Sequence, residues 1–220
     1  MTEGEPVGAP SVPIVHAVTD DLILAQPWFL EQARAVMVAL RDRGAVHLRA
    51  RSLPAARLYE IAVALHPVQE ATGCWIVCND RLDVALAAGA RGVQLTSRSM
   101  SVADARKVAP LLALGASVHA RGEAQVAERD GGNWVVAGNV FPTRSHVGAP
   151  GKGLLFLRGV AASTRLPCIG IGGIRPEQVG LMRAVGARGV AVISGIWGAE
   201  DADRAAIEYL SSYDAHGDPG

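Results

Sequence analysis

The sequence predicts an α/β fold, a (β/α)8 TIM barrel in a single domain, and three observations carry that expectation. Short, nearly continuous apolar runs recur along the 220 residues, as parallel strands covered on both faces require. Segments with helical apolar spacing separate them. Two near-copies, GARGVQL at 89–95 and GARGVAV at 186–192, each join a helix end to a strand, which marks a reused βα unit. Eight such alternations at this length read as a closed barrel, with a doubly wound sheet as the alternative architecture.

The elements follow in order. Residues 1–13, MTEGEPVGAPSVP, lack the basic and apolar regions of a signal peptide and read as a flexible leader. The barrel is expected over 14–213, beginning with the strand IVHAV (14–18). In WFLEQARAVMVALRDR, the residues Phe29, Leu30, Ala33, Val36, Met37 and Leu40 share one helical face. AVHL (45–48) and WIVC (75–78) are the second and third strands. GVQL (92–95) is the fourth, and Ser101 with Asp104 forms a capping box for a helix over 102–112. LGASV (114–118), WVVAG (134–138), PCIGI (167–171) and GVAVI (189–193) complete the set. Pro176 suits the first turn of the helix after strand seven, and Gly89 and Gly186 suit helix C-termini. The tail DAHGDPG, 214–220, reads as frayed.

Composition narrows the function classes. Hydrophobic residues make up 50% and charged residues 19%, enough for a large core and against general disorder. Zero net charge and a pI near 7.0 give no case for nucleic acid or an anionic membrane, and no apolar run reaches membrane-spanning length. The three cysteines, Cys74, Cys78 and Cys168, lack paired spacing and read as reduced thiols in a cytoplasmic protein. On one strand Cys74 and Cys78 stand roughly 13 Å apart at about 3.3 Å per residue, too far to share a zinc ion.

In a barrel of this kind chemistry gathers where strands end. Those ends carry Thr19-Asp20-Asp21, Arg49-Ala50-Arg51, Asn79-Asp80-Arg81, Thr96-Ser97-Arg98-Ser99, His119, Asn139, Gly172-Gly173 and Ser194-Gly195. Polar groups converging at one mouth indicate a small-molecule site. Gly172 and Gly173 after strand seven, with Ile193 and Ser194 after strand eight, suit a phosphate held by backbone N–H groups. The long loop from Asn139 to Gly153 is a candidate lid: Gly148, Gly151 and Gly153 give it freedom, and Arg144, His146 and Lys152 offer charge to an anion.

HAVTDD (16–21), VHLRARS (46–52), CNDRLDVAL (78–86), GVQLTSRSMS (92–101), GASVH (115–119), GNVFPT (138–143), GIGGI (170–174) and GVAVISGIW (189–197) together resemble the thiamine phosphate synthase and TenI superfamily. The resemblance spans about residues 14 to 197, one motif per strand. It implies a barrel acting on thiazole phosphate in thiamine biosynthesis, usually as a homodimer. It assigns substrate binding to His47, Arg49, Arg51, Asn79, Ser117 and Thr143, and phosphate binding to Gly172, Gly173, Ile193 and Ser194. Asp80 matches the first magnesium-binding aspartate of the synthases. The second falls on Ser99, Ser97 replaces a glutamine, and His146 stands where a phosphate-binding lysine is expected.

HAVTDD, VHLRARS and VQLTSRSMS lie nearer the TenI branch, which includes thiazole tautomerases. A proton shift needs a group that accepts and donates near neutral pH, for which histidine is suited. The tautomerase histidine position is Asn139, and an amide orients or hydrogen-bonds rather than titrates. His119, His146 and His47 are the candidate replacements, and His16 is expected at the barrel floor. The first expectation is a thiazole tautomerase, an isomerase needing no cofactor. The alternatives are a thiamine phosphate synthase, a transferase needing magnesium, and a non-catalytic protein that binds thiazole or thiamine phosphate.

Overall fold

The computed structural model describes residues 11–143 and 150–215. Strands β1 (Val15–Val18), β2 (Gly44–Leu48), β3 (Trp75–Asn79), β4 (Gly92–Leu95), β5 (Ala113–Val118), β6 (Trp134–Gly138), β7 (Cys168–Ile171) and β8 (Gly189–Val192) pair in chain order as a closed barrel. Every pairing is parallel, and β8 returns to β1 through Val15↔Val190 and Ala17↔Val192. The ring is the (β/α)8 barrel expected from the sequence, and its closure rules out the doubly wound sheet.

The helices are α1 (Asp21–Leu24), α2 (Phe29–Leu40), α3 (Ala55–Thr72), α4 (Leu82–Ala87), α5 (Val102–Val108), α6 (Arg121–Arg129), α7 (Gly153–Ala161), α8 (Val179–Ala184), α9 (Ser194–Trp197) and α10 (Ala202–Asp214). Strand side chains alternate between two cores. Val15, Ala17, Val46, Leu48 and Ile76 face outward into the large cluster under the helices. Val18, Ala45, Val77, Val136, Ile169 and Ala191 face inward with Trp75 and Trp134. Both sets are apolar, so the strands show little polar alternation in sequence. Trp134 fills the barrel because Gly115 lies under it: a Cβ there would stand 2.1 Å from the indole Cε2.

Several boundaries differ from the sequence expectation. The helix expected over 102–112 stops at Val108, because Pro110 pushes Ala109 out of helical geometry, to φ −130 and ψ 72. Its cap is as expected, with Ser101 Oγ accepting from Asp104 N at 3.1 Å. Pro176 opens a short 3-10 turn, Pro176–Gln178, and α8 starts only at Val179. Gly89 and Gly186 take φ of 67° and 95°, the left-handed turn expected of them. At the barrel's ends, Pro13 is buried and its carbonyl meets His16, although it was expected in the leader. Helix α10 reaches Asp214, one residue past the expected barrel end, where Arg43 grips the carboxylate at 2.8 and 2.5 Å. The three cysteines are buried, and burial pushes each thiol up to about 12. No helix of the described residues is long and apolar enough to cross a membrane.

Candidate active site

The inward alternation of β1 to β5 brings Val18, His47, Asn79, Gln94 and Ser117 to one mouth. A cavity of about 90 Å³ opens there, lined among others by His47, Arg49, Asn79, Gln94, Ser117 and His119. A larger groove of about 770 Å³ lies outside the barrel between α6 and α7, away from the strand ends.

Two hydrogen-bonded chains build the cavity's floor. Trp134 Nε1 donates to Gln94 Oε1 at 2.8 Å, and Gln94 Nε2 donates to Ser117 Oγ at 3.1 Å. An indole N–H only donates, so the Gln94 amide has one possible orientation and the Ser117 hydroxyl proton is left to point into the cavity. The second chain runs from the Pro13 carbonyl to His16 Nε2 at 2.9 Å, from His16 Nδ1 to His47 Nε2 at 2.8 Å, and from His47 Nδ1 to the Asn79 amide at 3.1 Å. Burial lowers His16 to about 4 and takes His47 well below the ordinary histidine value, His16 adding to the second effect.

The rim over β1 to β4 is charged. Arg49 is half-buried; burial pulls its guanidinium below its ordinary value and Arg51 adds to this, while Asp20, Asp80 and Asp21 oppose it. Asp21 holds the loop carrying Arg51, accepting from Arg51 N at 3.0 Å, Ser52 N at 2.9 Å, Ser52 Oγ at 2.7 Å and Leu53 N at 3.2 Å. Arg51 itself is exposed. Asp80 is exposed too, with φ at 60°, and its Oδ1 accepts from Thr96 N at 2.9 Å and from the Ser99 hydroxyl.

The opposite rim is backbone. Gly172 and Gly173 have φ of 109° and 62°. Their lack of a side chain also admits the sixth loop: a Cβ would stand 2.7 Å from Asn139 Cβ at the first and 2.2 Å from the Pro142 carbonyl at the second. Ile193 precedes α9, and Ser194, its first residue, is exposed. Asn139 is half-buried beside Gly172, and its Nδ2 has no hydrogen-bond partner. His119 is exposed at the mouth, with Nδ1 3.3 Å from the Gly138 carbonyl. Lys152 Nζ donates to the His119 carbonyl at 3.0 Å and lies over Phe156. Thr143 is half-buried at the start of the loop, and Arg144, His146 and Gly148 lie outside the described residues.

The model of the family described as thiamine monophosphate synthase matches residues 16–196. The chain belongs to that family. It is 38% identical over 164 residues to the thiamine-phosphate synthase of Pyrococcus furiosus, covering 74% of this chain and 79% of that protein. It is 37% identical over 194 residues to the thiamine-phosphate synthase of Methanoculleus marisnigri, covering 87% and 91%. The solved thiamine phosphate pyrophosphorylase of Pyrococcus furiosus superposes with a TM-score of 0.81 at 33% identity, covering 92% of this chain and 96% of that one. These names are those of the transferase, and they favour it over the isomerase that the sequence put first.

Within this thiamine monophosphate synthase family member, the magnesium expected by resemblance can be tested against the donor set. Among the described residues no three His, Cys, Asp or Glu side chains are grouped to hold a metal. Magnesium is often held by one or two carboxylates plus substrate phosphates. Asp80, with Oδ2 left over from its bonds to Thr96 and Ser99, fits an ion that arrives with a diphosphate and not one caged by the protein alone. Sequence reasoning missed Gln94, whose signal was a lone amide inside an otherwise apolar strand; Thr96, expected at the mouth as a strand end, bonds Asp80 through its backbone N–H.

Proposed function

We propose that the protein joins thiazole phosphate to hydroxymethylpyrimidine diphosphate with loss of pyrophosphate, the thiamine-phosphate synthase reaction. The observation that carries this reading is the pairing of two anion-binding poles across one small cavity. Arg49, Arg51, Asn79 and Asp80 form a charged pole at the ends of β2 and β3, and the glycine turn at Gly172 and Gly173 with Ile193 and Ser194 forms a second pole at the ends of β7 and β8. One phosphate pole suffices for an isomerase; a coupling reaction between two phosphorylated rings uses both.

The division of labour follows. Arg49 takes up charge on the departing pyrophosphate from a partly desolvated position, where a fixed cation acts most strongly, and Arg51 adds its charge from the exposed rim. Magnesium, bound through Asp80 and the diphosphate, would supply further neutralisation of that leaving group. Ser117 donates to the ring in the cavity, and the glycine pole holds the thiazole phosphate. A homodimer in the cytoplasm is the expected setting, and light scattering of the purified protein checks the oligomer.

One observation favours a second reading, proton-shift aromatisation of the carboxythiazole phosphate. Ser99 stands where a second carboxylate would anchor magnesium, and a proton shift needs no metal. In that reading His119 or His146 is the base and Asn139 only binds. Two incubations separate the readings. Magnesium-dependent thiamine phosphate formation from the two substrates supports the transferase. Aromatisation of the carboxythiazole phosphate without it, lost in His119→Ala or His146→Ala, replaces the transferase by the isomerase. If neither mixture turns over while thiazole phosphate raises the melting temperature, the protein is a binder.

A further inference from the structure

The buried chain Pro13–His16–His47–Asn79 has a proton count that the proposed reaction does not use. As the Asn79 amide stands, its Oδ1 faces His47 Nδ1 at 3.1 Å, and the Pro13 carbonyl faces His16 Nε2 at 2.9 Å. Both oxygens only accept, so each needs a ring N–H. The contact between His16 Nδ1 and His47 Nε2, 2.8 Å, needs one hydrogen more. Three contacts therefore need three protons, and two neutral imidazoles carry two.

The shortfall leaves two arrangements. With the pair neutral, His16 donates to Pro13, His47 donates to His16, and His47 Nδ1 must accept. The Asn79 amide then turns its NH2 to His47 and its oxygen to the cavity, a turn that heavy-atom positions alone do not distinguish. With one added proton on the pair, His47 Nδ1 donates to Asn79 Oδ1 and the amide NH2 faces the cavity. The first arrangement offers an anion an acceptor; the second offers it donors. Both histidines are about 1% exposed, and burial favours the neutral pair in the empty protein.

We propose that anion binding at the charged pole is proton-coupled: an anion held by Asn79 draws one proton from solvent onto the His16–His47 pair, with His16 as the positioning residue that directs the chain. His16 does not line the cavity, and it acts through His47. Charged and titratable groups around the cavity end of the chain are Asp20 and Asp21 from the first loop, Arg49 and Arg51 from the second, Asp80 from the third and His119 from the fifth. Around the pair itself the inward core is apolar, with Trp134 6.3 Å from the His16 ring. This inference rests on the charged pole of the proposed function but not on turnover.

The test is calorimetric titration of the whole protein with inorganic pyrophosphate, without magnesium, in wild type and His16→Leu. In the variant His47 is no longer bound to donate toward Pro13 through His16, so Asn79 can offer its NH2 without a charge on the pair. A single linked proton makes wild-type affinity fall, relative to the variant, about tenfold from about pH 7 to about pH 8. The ligand's own titration cancels in that ratio. The variant is expected to bind tighter than wild type at the higher pH, which no loss of packing would produce. Parallel pH profiles, or a variant weaker by one constant factor, overturn the proposal while leaving the pole intact. Failure of wild type to bind pyrophosphate overturns both. Should His16→Leu fail to fold, nitrogen NMR of the wild-type rings decides: His47 Nδ1 is expected unprotonated alone and protonated with pyrophosphate, and an unchanged ring overturns the proposal.

Discussion

Trp134 and Gln94, forty residues apart, are joined by one 2.8 Å hydrogen bond from the indole to the amide oxygen inside the barrel. That bond orients the amide so that its nitrogen reaches Ser117 at the cavity wall. The barrel interior and the cavity wall thus share one chain of atoms. Gln94→Leu keeps volume but leaves a buried indole N–H unpaired, which costs about 1–3 kcal/mol. The loss should read as a lower urea midpoint at unchanged slope. Combined with Trp134→Phe it should fall short of the sum of the two single losses, and strict additivity would refute the coupling.

Gly115 and Gly122 give opposite expectations for the same substitution. A Cβ on Gly115 would stand 2.1 and 2.4 Å from two atoms of the Trp134 ring and 2.5 Å from Gln94 Oε1, whereas one on Gly122 would meet nothing within 4 Å. Gly115→Ala should cost about 1–3 kcal/mol through overpacking of a rigid ring. Gly122 lies in α6, so Gly122→Ala should stabilise by up to about 1 kcal/mol by removing backbone entropy from the unfolded chain. Equal melting temperatures for the two variants would contradict this account of the barrel interior.

The contrast between these glycines shows where sequence reading reaches. The strands were legible because both faces of a parallel strand are apolar, and the αβ turns at Gly89 and Gly186 because their left-handed φ demands glycine. The strand ends named most of the rim, since a barrel puts those residues at its mouth. Gly115 and Gly92 under Trp134 were not legible, because nothing local marks which distant ring a glycine accommodates. The same holds for the bond between His16 and His47, 31 residues apart, which depends on inward register across β1 and β2. The capping box at Ser101 marks where α5 starts, but its end depends on Pro110, which holds Ala109 out of helical geometry.

Asp21 ties the first loop to the second, and its acid dependence has a definite sign. Burial works to raise its pKa, but backbone N–H groups of Arg51, Ser52 and Leu53 with the Ser52 hydroxyl outweigh it and hold the carboxyl at about 2, below the ordinary 3.8. A depressed carboxylate contributes stability that is complete above the unfolded value and is lost as pH falls through the folded one. The loop 51–53 should therefore loosen between about pH 4 and pH 2. Amide exchange of Arg51, Ser52 and Leu53 reads it directly. In Asp21→Asn these amides should exchange faster at neutral pH and like wild type at pH 2 and below, and pyrophosphate affinity should drop with the freed Arg51. A variant whose difference from wild type persists undiminished into acid would sink this assignment.

Ser99 decides how much metal the site can hold. Its hydroxyl donates to Asp80 Oδ1 and its oxygen accepts from Thr96 N at 3.2 Å, so one serine buttresses Asp80, the proposed magnesium anchor. Ser99→Asp puts a second carboxylate beside the first. Without metal the two like charges oppose each other, so one is expected to hold its proton to higher pH and the loop 96–99 to lose protection from exchange. With magnesium and pyrophosphate both carboxylates become ligands, and the magnesium concentration for half-saturation should fall about tenfold, the scale on which a ligand-shell change alters metal affinity. Ser99→Ala removes the same hydrogen bond without adding a donor and should show the loosened loop but no gain in magnesium affinity. If Ser99→Asp and Ser99→Ala titrate alike with magnesium, Asp80 is not a metal anchor, and the charged pole binds diphosphate through Arg49, Arg51 and Asn79 alone.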